Sequence, residues 1–264
     1  MGVLNVTPDS FSDGGAWGDP GRALAHAHEM LAAGADVIDI GGESTRPGAT
    51  PVSEAEEIAR VVPVIEALRA ASDAPISIDT MKPAVAARAA AAGATIWNDV
   101  NGFRADGAEA AAGRLNVAVI VMHMQGAPHT MQNAPRYDDV VAEVIAFLKA
   151  RVVALENAGV TDIWVDPGIG FGKTLDQNIA LMRALPRLRA ETGKPVLFGA
   201  SRKSFIGKIE ARGGAPVSKE DARIGGSLAA ALFAAQNGAD MLRVHDVAET
   251  VQALRVARAI GDGA

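Results

Sequence analysis

Asn5, Asp39, Asp79, Asn98, His123, Asp166, Ser201-Arg202-Lys203 and Arg243 with His245 recur along the chain, each at the end of a short apolar, β-branched run. Together they can hold a small polar ligand: carboxylates accept hydrogen bonds, carboxamides donate and accept, and lysine, arginine and imidazole offer positive charge to an anion. Any one of them is explained by the wet end of a strand or by the turn-forming habit of Asp and Asn. The whole set is not, because the turns at the opposite ends of the same runs are mostly Gly and Ala. One segment invites a different reading. Gly168-Ile169-Gly170-Phe171-Gly172-Lys173-Thr174 ends like a phosphate-binding P-loop, but the first glycine that such a loop requires falls on Pro167. A nucleoside triphosphatase is therefore not expected, and the glycines suit a tight turn that brings backbone and Phe171 close to a flat ligand.

The elements that must position these residues are legible as alternation. Strand candidates occupy residues 2–6 and begin again near Asp36, Pro75, Ala94, Asn116, Asp162, Pro195 and Asp240, eight in all. They are continuously apolar, as in a parallel sheet buried on both faces. Ala/Leu/Glu/Arg-rich stretches of helical character separate them. Four of these end on a glycine directly before the next strand, at Gly34, Gly93, Gly159 and Gly238. Helix starts are marked by Asp19-Pro20, by Ser53-Glu54-Ala55-Glu56 and by Ser218-Lys219-Glu220-Asp221. Eight strand–helix units without a linker predict an α/β fold, a single (β/α)8 TIM barrel over residues 1–264; the rival is an open doubly wound sheet. In a barrel the polar strand ends converge on one face. The long connections 7–18, 41–52, 126–137 and 207–217 lie on that face, as lids over its mouth. His123 reads as a hydrogen-bonded core residue, Asp39 and Glu43 as braces for the loops, and His26 and His28 as solvated on an outer helix.

Composition narrows the class. Of 264 residues, 49% are hydrophobic and 21% charged, enough apolar material for a large core. A net charge of -6 does not suit a nucleic-acid-binding protein. The absence of cysteine excludes disulfides and thiolate metal sites and points to a reducing cytoplasm. Residues 1–6 have none of the features of a secretory signal, and no apolar stretch approaches the length of a membrane span.

Several strings together resemble the dihydropteroate synthase family, over essentially the whole chain. They are Leu4-Asn5-Val6-Thr7-Pro8-Asp9-Ser10-Phe11-Ser12-Asp13-Gly14-Gly15, Asp39-Ile40-Gly41-Gly42-Glu43-Ser44-Thr45-Arg46-Pro47-Gly48, Ser77-Ile78-Asp79-Thr80, Asn98-Asp99-Val100 and Met122-His123-Met124-Gln125-Gly126. The run from Asp166 to Lys173, Ser201-Arg202-Lys203-Ser204-Phe205 and Arg243-Val244-His245-Asp246 complete the set. The resemblance implies condensation of 6-hydroxymethyl-7,8-dihydropterin pyrophosphate with p-aminobenzoate to 7,8-dihydropteroate, by departure of pyrophosphate and attack of the amine on a pterin carbocation. The alternatives are a pterin-binding methyltransferase barrel and a non-catalytic pterin-binding paralogue.

The same resemblance implies a role at each position. Asp166, supported by Asp79 and Asn98, accepts the donor edge of the pterin; Lys203 donates to the opposite edge, and Val100, Met122 and Phe171 contact the ring. Arg243, His245, Thr45 and Arg46 hold the pyrophosphate, and Asn5 contacts Mg2+. Phe11, Thr45 and Pro47 wall the p-aminobenzoate pocket, whose carboxylate meets Ser204 and the helix start after Lys203. Asp79, Lys203, Arg243 and His245 form the catalytic set. Residues 7–13 and 44–48 close over the site. The helix at 223–237 and the last helix form a homodimer interface, and sulfonamides compete with p-aminobenzoate. Family members carry a further stretch ahead of the first string, covering the bottom of the barrel, whereas here the chain starts on the first strand.

Overall fold

The computed structural model describes residues 1–7, 20–45, 48–126, 130–132, 134–214 and 216–261. Strands β1 (Gly2–Asn5), β2 (Ile38–Gly41), β3 (Ile76–Asp79), β4 (Ile96–Asp99), β5 (Ala118–Met122) and β6 (Ile163–Asp166) pair in that order, every pair parallel. Strands β7 (Leu197–Phe198) and β8 (Met241–Leu242) form a second parallel pair. Two isolated bridges join the pieces into a ring. Val165 pairs with Val196, and Gly2 pairs with Val244. Val3 N donates to Val244 O at 3.0 Å and Val244 N to Met1 O at 3.0 Å. This seam rules out the open doubly wound sheet, which leaves its two outer strands unpaired.

Helices lie between the strands: α1 (Pro20–Ala32), α2 (Glu54–Ala71), α3 (Pro83–Ala92), α4 (Ala108–Leu115), α5 (Val140–Asn157), α6 (Leu175–Arg183), α7 (Leu185–Thr192), α8 (Ser204–Arg212), α9 (Ile224–Gln236) and α10 (Val247–Gly261). No described helix is long and apolar enough to cross a membrane. Ser53 caps α2 as its sequence signal predicts, its hydroxyl accepting from Glu56 N at 3.2 Å. The glycine signal at helix ends also holds. Gly93 closes α3 with φ 115°, donating to Ala89 O and Ala90 O, and Gly34, Gly159 and Gly238 have positive φ as well.

Two expectations need correction. The Ser218-Lys219-Glu220-Asp221 signal does not open a helix directly. A 3-10 turn at Asp221–Arg223 intervenes and α9 begins at Ile224. Ser218 instead accepts through its carbonyl from the Arg223 guanidinium at 2.6 Å. The segment 207–217 is not all loop, because α8 runs to Arg212. Gly207 is inside that helix for a packing reason: a side chain there would come within 2.9 Å of Val217 Cγ1 and 3.1 Å of Ser218 Oγ.

Strand pleating divides the core in two. Ile38, Ile40, Ile76, Ile78, Trp97, Val119 and Val121 belong to the large buried cluster shared with helix residues such as Ala27, Ile65, Leu68 and Leu148. The alternate positions face into the barrel. There Met1, Val37, Ile120 and Leu197, with Ile96, Trp164 and Met241, form a separate apolar plug toward the strands' N-terminal ends. Above the plug, the next positions inward on several strands are polar: Asp39, Asn98 and Asp166, with Arg243 after β8.

Candidate active site

One hydrogen-bonded register row crosses the top of four strands: Asn5, Gly41, Asp79 and Asn98. A side chain on Gly41 would lie 3.8 Å from Asp79 Oδ2 and 3.9 Å from Asn5 Oδ1, so both oxygens border this position on β2. Two residues below Gly41 on the same inward face, Asp39 is fully buried. Arg243, directly after β8, ties these carboxylates together, Nε to Asp39 Oδ2 at 2.6 Å and Nη2 to Asp79 Oδ2 at 2.7 Å. Asn98 Nδ2 also reaches Asp39 Oδ2, at 3.4 Å. The outer oxygens, Asp39 Oδ1 and Asp79 Oδ1, are buried without a hydrogen-bond partner among the described residues. Burial pushes Asp79 up to about 7 against the pull of Arg243. Burial likewise opposes the Arg243 charge, but Asp39 and Asp79 outweigh it and hold the guanidinium firmly protonated.

The opposite wall comes from β6 and the turn beyond it. Asp166 ends β6, is buried, and accepts from Gly168 N at 2.7 Å. Burial raises its pKa, while the Lys203 charge, Gly168, Lys173 and Arg243 act in the other direction. Lys203 Nζ stands 4.7 Å from the centre of the Phe171 ring and donates to Ile169 O at 2.5 Å. Burial brings it down to about 8, with Asp166 opposing. Beside Asp166, Val100, Met122, Met124 and Met131 form an apolar cluster against which Met81 and Phe171 pack. The mouth thus offers an ionisable acceptor, a facing ammonium, a flat apolar flank and a fixed guanidinium, which suits a flat heterocycle bearing an anionic group.

Residues 1–245 match the family model for pterin binding enzymes. The dihydropteroate synthase of Escherichia coli (strain K12) is 48% identical over 261 residues, covering 98% of this chain and 90% of that protein. The chain belongs to the dihydropteroate synthases. Xanthomonas albilineans dihydropteroate synthase, solved with 4-aminobenzoic acid, superposes with a TM-score of 0.91 at 50% identity, covering 100% of this chain and 93% of that one. The Yersinia pestis dihydropteroate synthase, solved as a sulfonamide drug complex, gives 0.92 at 45%, covering 100% and 94%. Dihydropteroate synthases are transferases of folate biosynthesis that condense a pterin pyrophosphate with p-aminobenzoate, and this chain is such an enzyme. The match weighs against the methyl-transfer and non-catalytic readings.

Most of the residues that the synthase resemblance singles out converge. Asn5, Asp79, Asn98, Asp166, Lys203 and Arg243 line the barrel mouth, and Val100, Met122 and Phe171 share one cluster. His245 is half-buried beside them, with Nδ1 3.1 Å from Ser201 Oγ and its backbone N–H donating to the same hydroxyl at 3.2 Å. Ser204 is exposed as the first residue of α8, whose cap residue, Lys203, makes no side-chain capping bond. Thr45 is half-buried in the second loop. Phe11, Arg46 and Pro47 lie outside the described residues.

Sequence reasoning missed three groups. The resemblance places Arg243 at the pyrophosphate and in the catalytic set but says nothing of its carboxylate partners, Asp39 and Asp79, which bind two of its nitrogens and leave Nη1 bound to neither. Lys82 lies outside every string that carries the resemblance, yet its Nζ binds Glu43 Oε2 and Glu57 Oε2, each at 2.6 Å. Glu43 Oε1 in turn accepts from Val52 N at 3.2 Å, which fastens both ends of the second loop. Lys173 ends one of the family strings and carries no assigned role, yet it is 2% exposed and hydrogen-bonded to His123. His123 itself is a buried, hydrogen-bonded residue, in line with its sequence reading.

Proposed function

We propose that the ring of strand ends divides the condensation between two halves of the barrel mouth, the whole chain serving as one pterin-binding domain. The observation that carries this is buried Asp166 at the end of β6 with the Lys203 ammonium held over the Phe171 ring, close enough for its charge to favour the ionised carboxylate. Asp166 accepts the two donors of the pterin 2-amino/N3 edge, with Asp79 and Asn98 supporting it, and Lys203 donates to the acceptor edge. Val100, Met122 and Phe171 contact the ring. The pyrophosphate lies toward Arg243 and His245, with Thr45 and Arg46 from the second loop.

The bond from the pterin methylene to the leaving oxygen breaks, and its electron pair departs with the pyrophosphate. Arg243 is already oriented by Asp39 and Asp79, so its charge stabilises the departing group without reorganisation. The carbon left behind is stabilised by the pterin ring. The amine of p-aminobenzoate then forms the new C–N bond and sheds a proton. Phe11, Thr45 and Pro47 position that substrate, and its carboxylate meets Ser204 and the first N–H groups of α8. Sulfonamides occupy the same place.

Magnesium fits this arrangement only as a companion of the substrate. No group of three or more His, Asp or Glu among the described residues could hold a metal ion alone. Asn5 Oδ1 offers one amide oxygen beside Asp79, and phosphate oxygens and water complete the shell that Mg2+ requires. Held there, it would supply positive charge to offset that of the leaving group. The chain works in the cytoplasm, consistent with its lack of cysteine.

The test is dihydropteroate formation, followed by chromatography, from pterin pyrophosphate, p-aminobenzoate and Mg2+. Product is expected, and pterin binding without product would remove the assignment. Asp166→Asn turns an acceptor into a donor and should weaken pterin binding about 100-fold or more by calorimetry. An unchanged affinity would take Asp166 out of this role.

A further inference from the structure

The turn after β6 is gripped by two lysines, and only Lys203 has a role in the reading above. Lys173 Nζ, buried, donates to Gly168 O and to Phe171 O at 2.9 Å each, meets His123 Nδ1 at 3.0 Å and reaches the His123 carbonyl at 3.3 Å. The three nearest acceptors match the three protons of an ammonium. Gly168 is also the residue whose N–H donates to Asp166, and Phe171 is the flank of the pterin site. The turn has little slack: a side chain on Gly168 would lie 1.9 Å from His123 O. Gly170 is fixed from both sides, its N–H by Asn178 Oδ1 at 2.7 Å and its carbonyl by Gln132 at 2.6 Å.

We propose that Lys173 is a positioning residue for pterin recognition: its ammonium folds the 168–171 turn around itself so that Gly168 donates to Asp166, and its charge favours the ionised carboxylate. The charged groups facing Asp166 are Lys203 at the start of α8, Arg243 after β8 and Lys173. Asp39 and Asp79 are engaged by Arg243, and His123, with Arg104 beyond it, completes the surroundings of Lys173. Burial lowers Lys173 to about 7 and raises Asp166, and in each case the opposite charge of the other acts against burial.

This inference rests on Asp166 being the pterin acceptor. The experiment measures kcat/KM for pterin pyrophosphate from pH 5 to 9 in the wild type, Lys173→Gln, Lys173→Met and Asp166→Asn, with thermal unfolding alongside. Without the lysine charge the Asp166 carboxyl ionises only at higher pH, so the acid limb of both lysine variants moves up by about one pH unit. Their KM for the pterin substrate rises while KM for p-aminobenzoate does not. Lys173→Gln keeps two donors and shows the limb shift with the smaller rise in KM; it also carries the test should Lys173→Met fail to fold. A limb that stays in place in Lys173→Gln overturns the proposal, even if the melting temperature falls. Wild-type kcat/KM in Asp166→Asn would instead overturn the assignment on which it rests.

Discussion

His123 sits where only the neutral imidazole is tolerated. Burial, then the charges of Lys173 and Arg104, lower its pKa to about 3, against roughly 6.5 in an unfolded chain. Between those values the folded state binds fewer protons than the unfolded one, so stability is lost as pH falls from about 6.5 toward 3. The slope approaches about 1.4 kcal/mol per pH unit. His123→Gln keeps an acceptor for Lys173 and should flatten this slope. Urea midpoints at pH 7, 6, 5 and 4 check it, and parallel slopes would disprove the account. Lys82→Met leaves the buried Glu43 and Glu57 without their cation and should cost about 3 kcal/mol or more by the same method. Neither lysine was legible in the sequence. The partners of Lys82 lie 25 and 39 residues away, and those of Lys173 include an imidazole 50 residues back. No local pattern records such meetings, whereas Asp79, Asn98 and Asp166 announce themselves by ending apolar runs.

Elements were read well where the signal was periodic and poorly where one residue type has two uses. All eight strands appear where continuous apolar runs place them, because a strand buried on both faces has no other composition available. Gly207 reads as loop, yet it marks a helix pressed against the following segment. Gly113 shows the same use more sharply. It lies within α4, and a side chain there would stand 1.9 Å from Ala158 O at the end of α5. Gly113→Ala should therefore push α4 off α5 and destabilise the fold by about 1–3 kcal/mol, despite the better helix propensity of alanine. A calorimetric melting temperature equal to or above that of the wild type would contradict this packing.

At the scale of the molecule, α9 and α10 pack on each other and leave Ile224, Phe233, Val256 and Ile260 exposed, the last by 77%. The family resemblance implies a homodimer through these helices, and such a contact would cover these side chains. Light scattering at micromolar concentration should give twice the chain mass, and Ile260→Asp with Phe233→Asp should return it to one. A monomer from the unaltered chain would dismiss the interface. The closed barrel was legible from the strand count, but its seam was not, since β7 and β8 are two residues each and join their neighbours through single bridges. That seam has a consequence for biosynthesis. A nascent chain leaving the ribosome carries β1 with an unpaired edge until residue 244 has emerged. Arg243 emerges in the same stretch. Release of a prematurely terminated chain therefore forfeits the hoop and the Arg243 guanidinium in one event, and yields an adhesive edge rather than a slow enzyme.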